Sequence, residues 1–262
     1  MRALVGVVGL MVGVLTACGG AASTGAAAPG HSRGETSMAP AATSQAPVPE
    51  ATTSAPLPTG PNVSGCFTEA DGKIFKHDGD LPGVITGDGP VGVVITYERR
   101  GNVCTWRPLS DRLVAVGYRV LLYARRSTTL PEDAAVAMGK RLAKESGVKR
   151  IFLVGGSIGA TTAVPAALRL GPKAAGVVAV SGEISAENAA RLTVPLLQIG
   201  SENDGYGGAD DLAEAHAAAT KAPDNQTMVI PGESLHASAL FGSPHGKDVL
   251  DRIVAFMDRH KG

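Results

Sequence analysis

At 262 residues the chain has room for one domain of ordinary size and some additional sequence. Its 24 Lys and Arg balance 24 Asp and Glu, so it lacks the basic excess that binds nucleic acid or anionic lipid through charge. Apolar residues make up 44% of the chain but aromatics only 4%. That balance points to a core of Ala, Val, Leu and Gly, of the kind formed where helices cover a parallel sheet.

The amino terminus reads separately. Arg2 precedes an apolar run, Ala3 to Leu15, which is too short to cross a bilayer as a helix and has the length of a signal-peptide core. Leu15-Thr16-Ala17-Cys18 follows and resembles the lipobox of bacterial lipoproteins. The resemblance implies removal of residues 1–17, diacylglycerol on the thiol of Cys18, and a chain held on the extracytoplasmic side of the cell membrane. A secretory signal with an incidental cysteine at its cleavage site is the plainer alternative. Residues 19–61 are built almost wholly of Ala, Gly, Ser, Thr and Pro. Too few large apolar side chains are present to offset the entropy of ordering, so residues 18–61 are expected to be a disordered tether and residues 62–262 the folded domain.

With Cys18 lipidated, Cys66 and Cys104 remain, and two thiols in an oxidising compartment can pair. Such a bridge would tie the entry segment to the loop after the first buried strand. Two free, buried thiols are the alternative.

From Cys66 onward the pattern is regular. Residues 66–86, punctuated by Gly72, Gly79 and Pro82, read as an edge hairpin. Strand-length apolar runs then occur at 91–96, 118–123, 151–154, 175–180, 195–199 and 226–230. Between and after them, helical patterns occupy 106–116, 131–146, 160–170, 186–192, 209–220 and 247–260. The alternation predicts a doubly wound, mostly parallel sheet covered on both faces, with right-handed crossovers.

Chemistry in such a sheet gathers at the carboxyl ends of the strands. The strand at 151–154 runs into Gly155-Gly156-Ser157-Ile158-Gly159, a G-x-S-x-G turn leading into a helix. Glycine supplies 34 of the 262 residues, so the pentapeptide alone is weak; its position between strand and helix gives it weight. The loop after Ile199 carries Asp204, and the loop after Ile230 carries His236. A hydroxyl, an acid and an imidazole thus stand at three strand ends, in the order Ser, Asp, His. Other candidates for the acid are Glu202, Asp210 and Glu183, and His245 is a second histidine near the same edge.

These residues resemble the α/β-hydrolase superfamily over residues 66–260, and most nearly its small dienelactone-hydrolase or carboxylesterase members. Trp106-Arg-Pro-Leu-Ser-Asp-Arg-Leu113, Gly117-Tyr-Arg-Val120 and the ending Leu250-Asp-Arg-Ile-Val-Ala-Phe-Met257 are similar to phrases in that family. The resemblance implies an α/β-hydrolase fold with Ser157 as nucleophile, His236 as general base and Asp204 orienting it. It also implies an oxyanion hole from the backbone N–H of Ile158 and of Arg99, with Arg100 or Gly101 as alternatives to Arg99. The sequence departs from the family there: Tyr97-Glu98 stands where His-Gly is usual, and Glu98, Arg99 and Arg100 are expected to crowd the mouth. About fifteen residues separate the strand ending at 180 from the next, which leaves no room for an inserted lid.

The expectation is therefore a lipid-anchored extracytoplasmic serine hydrolase cleaving small carboxylic esters. It would be a monomer, with no cofactor, metal or nucleic acid implied. The rival is a hydrolase-fold binding or envelope-associated lipoprotein that has lost catalysis, and the altered oxyanion loop is the feature that favours it.

Overall fold

The computed structural model describes residues 62–262; Cys18, the signal segment and the tether lie outside them. A two-stranded antiparallel ribbon, β1 (Asn62–Val63) and β2 (Phe67–Thr68), opens the described chain. An eight-stranded sheet follows, made of β3 (Lys73–His77), β4 (Leu81–Thr86), β5 (Val91–Thr96), β6 (Arg119–Tyr123), β7 (Arg150–Gly156), β8 (Ala174–Val180), β9 (Leu196–Ser201) and β10 (Asn225–Ile230). Its spatial order is β3-β4-β6-β5-β7-β8-β9-β10. β4 is antiparallel to both its neighbours, and every other pairing is parallel. The opening hairpin is at the edge, as the glycine and proline punctuation predicts.

The helices are α1 (Arg107–Ala115), α2 (Pro131–Leu142), α3 (Ile158–Leu170), α4 (Ala186–Arg191), α5 (Ala209–Ala218) and α6 (Gly246–Arg259). Both faces of the sheet are covered. Trp106, Leu109 and Leu113 at α1, with Val249, Ile253 and Phe256 of α6, pack against Val93, Ile95, Phe152 and Val154 on one face. Leu142 of α2 and Ala163, Val164 and Ala167 of α3 pack against Val94, Leu153 and Val177 on the other. Neighbours along β5 and β7 thus serve opposite layers, which is why those strands read as unbroken apolar runs. The helix faces next to β7 are rich in alanine, letting α3 lie close to the sheet.

The boundaries differ from the periodicity in instructive ways. α2 stops at Leu142 rather than Ser146, because Lys144 and Glu145 bond three residues back to Arg141 and Leu142. That tightening prepares the turn at Gly147, whose φ is 85°. α3 begins at Ile158, directly after the serine, instead of at Ala160. Of the three short 3-10 helices among the described residues, Val103–Trp106 and Ala237–Gly242 border the site and had no periodic signal; the third is Gly171–Lys173.

Cys66 and Cys104 are joined by a disulfide with Cα atoms 5.7 Å apart. The free-thiol alternative is therefore discarded. The bridge ties the β1–β2 ribbon to the first 3-10 helix, and Arg107 adds polar links to the same segment. Its guanidinium reaches the carbonyl of Cys66 and, at 2.6 Å, the carboxylate of Asp71. Burial works to raise the Asp71 pKa, but the Thr68 N–H and the Arg107 guanidinium outweigh it and hold the carboxyl below its ordinary range.

Candidate active site

The β7–α3 turn is as tight as its glycines imply. Ser157 has φ 53° and ψ −121°, a strained backbone for a residue with a side chain. A Cβ on Gly155 would lie 2.2 Å from the carbonyl carbon of Gly159, and one on Gly159 would lie 1.9 Å from the carbonyl oxygen of Thr96. Neither position admits anything but glycine without moving backbone. The strain is held by the surroundings: the Ser157 N–H bonds to Val180 O at 2.9 Å, and Thr161 N–H returns to Ser157 O at 3.0 Å. Ser157 consequently stands half-buried at the carboxyl edge of the sheet, with the start of α3 beneath it. Ile158 is the first residue of that helix, so its N–H has no intrahelical acceptor.

The acid and the histidine come from the next strands. Asp204 follows β9 and His236 follows β10, and the two strands are paired in register from Asn225–Leu196 to Ile230–Ser201. The loops are knitted together beyond the sheet: Glu202 N–H bonds to Ile230 O at 3.0 Å, Asn203 N–H to Glu233 O at 2.9 Å, and Ser201 Oγ to Leu235 O at 2.5 Å. Across this join, His236 Nδ1 and Asp204 Oδ2 are 2.7 Å apart. The other carboxylate oxygen, Oδ1, accepts the N–H of Tyr206 at 3.1 Å. Asp204's side chain is 7% exposed and that of His236 36%, so the acid is shielded while the ring keeps an edge to solvent. With Nδ1 turned to the carboxylate, Nε2 is the nitrogen left for the cleft.

Ser157, Ile158, His236, Arg99, Glu98 and Tyr206 line one cleft of about 440 Å³, together with Arg100. The geometry thus gathers the expected nucleophile, base and both hole residues on one rim, with the acid behind the base. The alternatives fall away. Glu202 is turned to the N–H of Gly232 at 2.7 Å, Asp210 and Glu183 are exposed, and His245 sits at the amino end of α6. Gly101, an alternative to Arg99, does not line this cleft; Arg100 does.

Solved structures share this fold. The chain superposes on the Pyrococcus furiosus esterase Pf2001 with a TM-score of 0.64 and 18% identity, covering 77% of this chain and 99% of that one. It superposes on the Paleococcus ferrophilus monoacylglycerol lipase with a TM-score of 0.60 and 17% identity, over 69% and 99% of the two chains. MGS-MChE2, an alpha/beta hydrolase enzyme from a lagoon-sediment metagenome, matches with a TM-score of 0.57 and 15% identity, over 71% and 98%. The chain has the α/β-hydrolase fold. No protein-family model and no curated protein matches its sequence.

In this hydrolase fold only α4 intervenes between β8 and β9, so no lid domain is inserted there. The loop after β5 holds what the sequence reading missed. Glu98 does not simply crowd the mouth: its Oε2 accepts the indole N–H of Trp106 at 2.7 Å, and its Oε1 accepts the hydroxyls of Ser238 and, at 3.3 Å, Thr105. One carboxylate therefore joins the loop carrying Arg99 to the 3-10 helices Val103–Trp106 and Ala237–Gly242, the second of which begins immediately after His236. Ser238 lies 140 residues from Glu98 along the chain, and Trp106, though near in sequence, shares no periodic pattern with it, so only the fold reveals the connection. Tyr206 was also missed; its hydroxyl lies 2.9 Å from Thr161 Oγ1 and its ring centroid 6.2 Å from that of His236. Beneath the loop, Tyr123 bonds Thr96 Oγ1 at 2.9 Å, and burial pushes its phenol up to about 12. It is a neutral structural group at physiological pH.

Proposed function

We propose that this chain is a serine hydrolase of carboxylic esters, acting through an acyl-enzyme and held at the extracytoplasmic face of the membrane by lipid on Cys18. The observation that carries the catalytic part is the 2.7 Å Nδ1–Oδ2 contact between His236 and Asp204 in the cleft lined by the strained Ser157. The likeness of the fold to an esterase and to a monoacylglycerol lipase supports ester chemistry. The anchor is supported by the lipobox-like sequence alone.

His236 Nε2 takes the proton of Ser157 Oγ as that oxygen attacks the carbonyl carbon. The carbonyl oxygen becomes an oxyanion, stabilised by the N–H groups of Ile158 and Arg99 and by the start of α3. As the tetrahedral species collapses, the C–O bond to the alcohol breaks and Nε2 returns the proton to the leaving oxygen. Water then gives a proton to Nε2 and its hydroxyl to the acyl carbon, and a second collapse frees the acid and restores Ser157. Asp204 fixes the imidazole tautomer and steadies the imidazolium formed in each half-reaction.

Labelling with a fluorophosphonate probe tests this reading. The native protein is expected to gain one adduct on Ser157, and Ser157→Ala none. If the folded native chain stays unlabelled, the serine is not activated and the rival reading, an anchored binding protein, takes its place.

A further inference from the structure

Two further hollows adjoin the cleft and share lining residues with it, one through His236 and Arg100, the other through Ile158 and Arg99. One branch, of about 570 Å³, is lined by His236, Arg100, Thr105, Pro108 and Phe241 among others. The other, of about 330 Å³, is lined by Ile158, Arg99, Tyr97, Arg125, Ser127 and Pro131, with Gly101. A departing alcohol has to lie against His236, because Nε2 hands its proton to that oxygen. The first branch therefore receives the alcohol. The second is bordered by both oxyanion-hole residues and not by the histidine, so the acyl chain runs into it.

The acyl branch is unbalanced in charge. No carboxylate lines it, while Arg99 and Arg125 both do. Arg125 lies half-buried just after β6, its Nη2 donating to Tyr97 O at 3.2 Å and its guanidinium 4.9 Å above the Tyr97 ring. Its Nε is buried without a hydrogen-bond partner. Among the described residues, neither Arg99 nor Arg125 has an ion-pair partner. The adjacent Arg126, by contrast, meets Asp78 at 3.5 Å. The nearest acid on the loop, Glu98, packs against Gly101 at the border of this branch but turns its oxygens to Trp106, Ser238 and Thr105 and pairs with neither arginine. Arg125, half-buried beside a recess that no carboxylate lines, is screened less than a cation on an open surface, although its other side borders a hollow shared with Asp78 and Asp133; Arg99 is exposed. A guanidinium pairs readily with a carboxylate, often through two parallel hydrogen bonds.

Resting on the serine-hydrolase reading, we propose that the site selects esters whose acyl chain ends in a free carboxylate, that is, half-esters of dicarboxylic acids. Arg125 and Arg99 receive that carboxylate while Ser157 attacks the ester carbonyl at the other end. Hydrolysis consumes one water and releases an alcohol and a dicarboxylic acid. Arg125 acts here as a specificity-determining residue.

The test compares the mono-p-nitrophenyl esters of adipic and suberic acid with p-nitrophenyl hexanoate and octanoate, their uncharged counterparts of equal chain length. At low salt, kcat/KM for at least one half-ester is expected to exceed that of its neutral counterpart by roughly tenfold or more. The ratio should shrink as salt is raised. In Arg125→Gln the ratio falls towards one, and in Arg125→Lys part of it is retained. A ratio at or below one for both chain lengths overturns the inference. So does a ratio that survives unchanged in both Arg125→Gln and Arg99→Gln. If neutral esters turn over and Ser157 is labelled, either result leaves the hydrolase reading standing. Absence of turnover on all four esters, with no fluorophosphonate label, overturns the hydrolase reading and this inference together.

Discussion

Glu98 lines the cleft and also braces it, its carboxylate accepting hydrogen bonds from Trp106, Ser238 and Thr105. Trp106 is wholly buried, so removing its acceptor strands an indole N–H at a cost of about 1–3 kcal/mol. For a domain of this size that corresponds to a loss of roughly 2–12 °C in Tm. Glu98→Ala is expected to lose thermal stability on that scale by calorimetry. It should also lower kcat for a neutral p-nitrophenyl ester, measured well below its Tm, because the loop bearing Arg99 and the helix following His236 are no longer joined. Glu98→Gln retains an acceptor oxygen for the indole and should recover most of the stability but less of the turnover. Equal recovery of both would make Glu98 a packing residue only. The strain at Ser157 belongs to the same scale. Its positive φ sits in a turn that only glycine at 155 and 159 allows to close, since Gly155 lies against the backbone of Gly159 and Gly159 against the carbonyl of Thr96.

At the scale of elements, the weak point is the entry segment. β1 and β2 are two residues each, too short to persist through backbone pairing alone. The Cys66–Cys104 bridge closes a span of 38 residues, and the loop-entropy argument assigns such a closure about 4 kcal/mol. Reduction is therefore expected to lower Tm by roughly 8–16 °C, followed by calorimetry with and without dithiothreitol. A shift under about 2 °C would mean that Arg107, with its bonds to Cys66 and Asp71, already holds the segment. Because Cys104 and Trp106 share one 3-10 helix, reduction should also loosen the platform on which Glu98 rests.

For the whole molecule, the proposed lipid anchor makes a prediction that the folded domain does not touch. Expressed in a bacterium that processes lipoproteins, the native chain should partition into the detergent phase of a Triton X-114 separation. Cys18→Ser should move to the aqueous phase with the proposed esterase activity intact. Aqueous partitioning of the native chain would favour an ordinary secretory signal. No helix among the described residues is long and apolar enough to cross a membrane, so the domain offers no such helical span to compete with the lipid in this assay.

The architecture was legible in the chain because its signals are local. Strands buried on both faces read as apolar runs, helices as amphipathic stripes, and Gly155 and Gly159 as the spacing a sharp strand-to-helix turn requires. The order of Ser157, Asp204 and His236 could be read once each was assigned to a strand end, since a parallel sheet brings those ends to one rim. Other features needed the tertiary structure. Glu98, Trp106 and Ser238 meet only because β5 is central, while α1 and the β10 loop fold over the same edge. That neither Arg99 nor Arg125 has an ion-pair partner among the described residues depends on which way the fold turns the nearby acids. Sequence by itself determined the strand-end placement of the reactive groups, because backbone periodicity is a short-range property. Tertiary structure alone decided how those groups are braced and what charge surrounds them, because hydrogen bonds and ion pairs between distant segments leave no periodic trace.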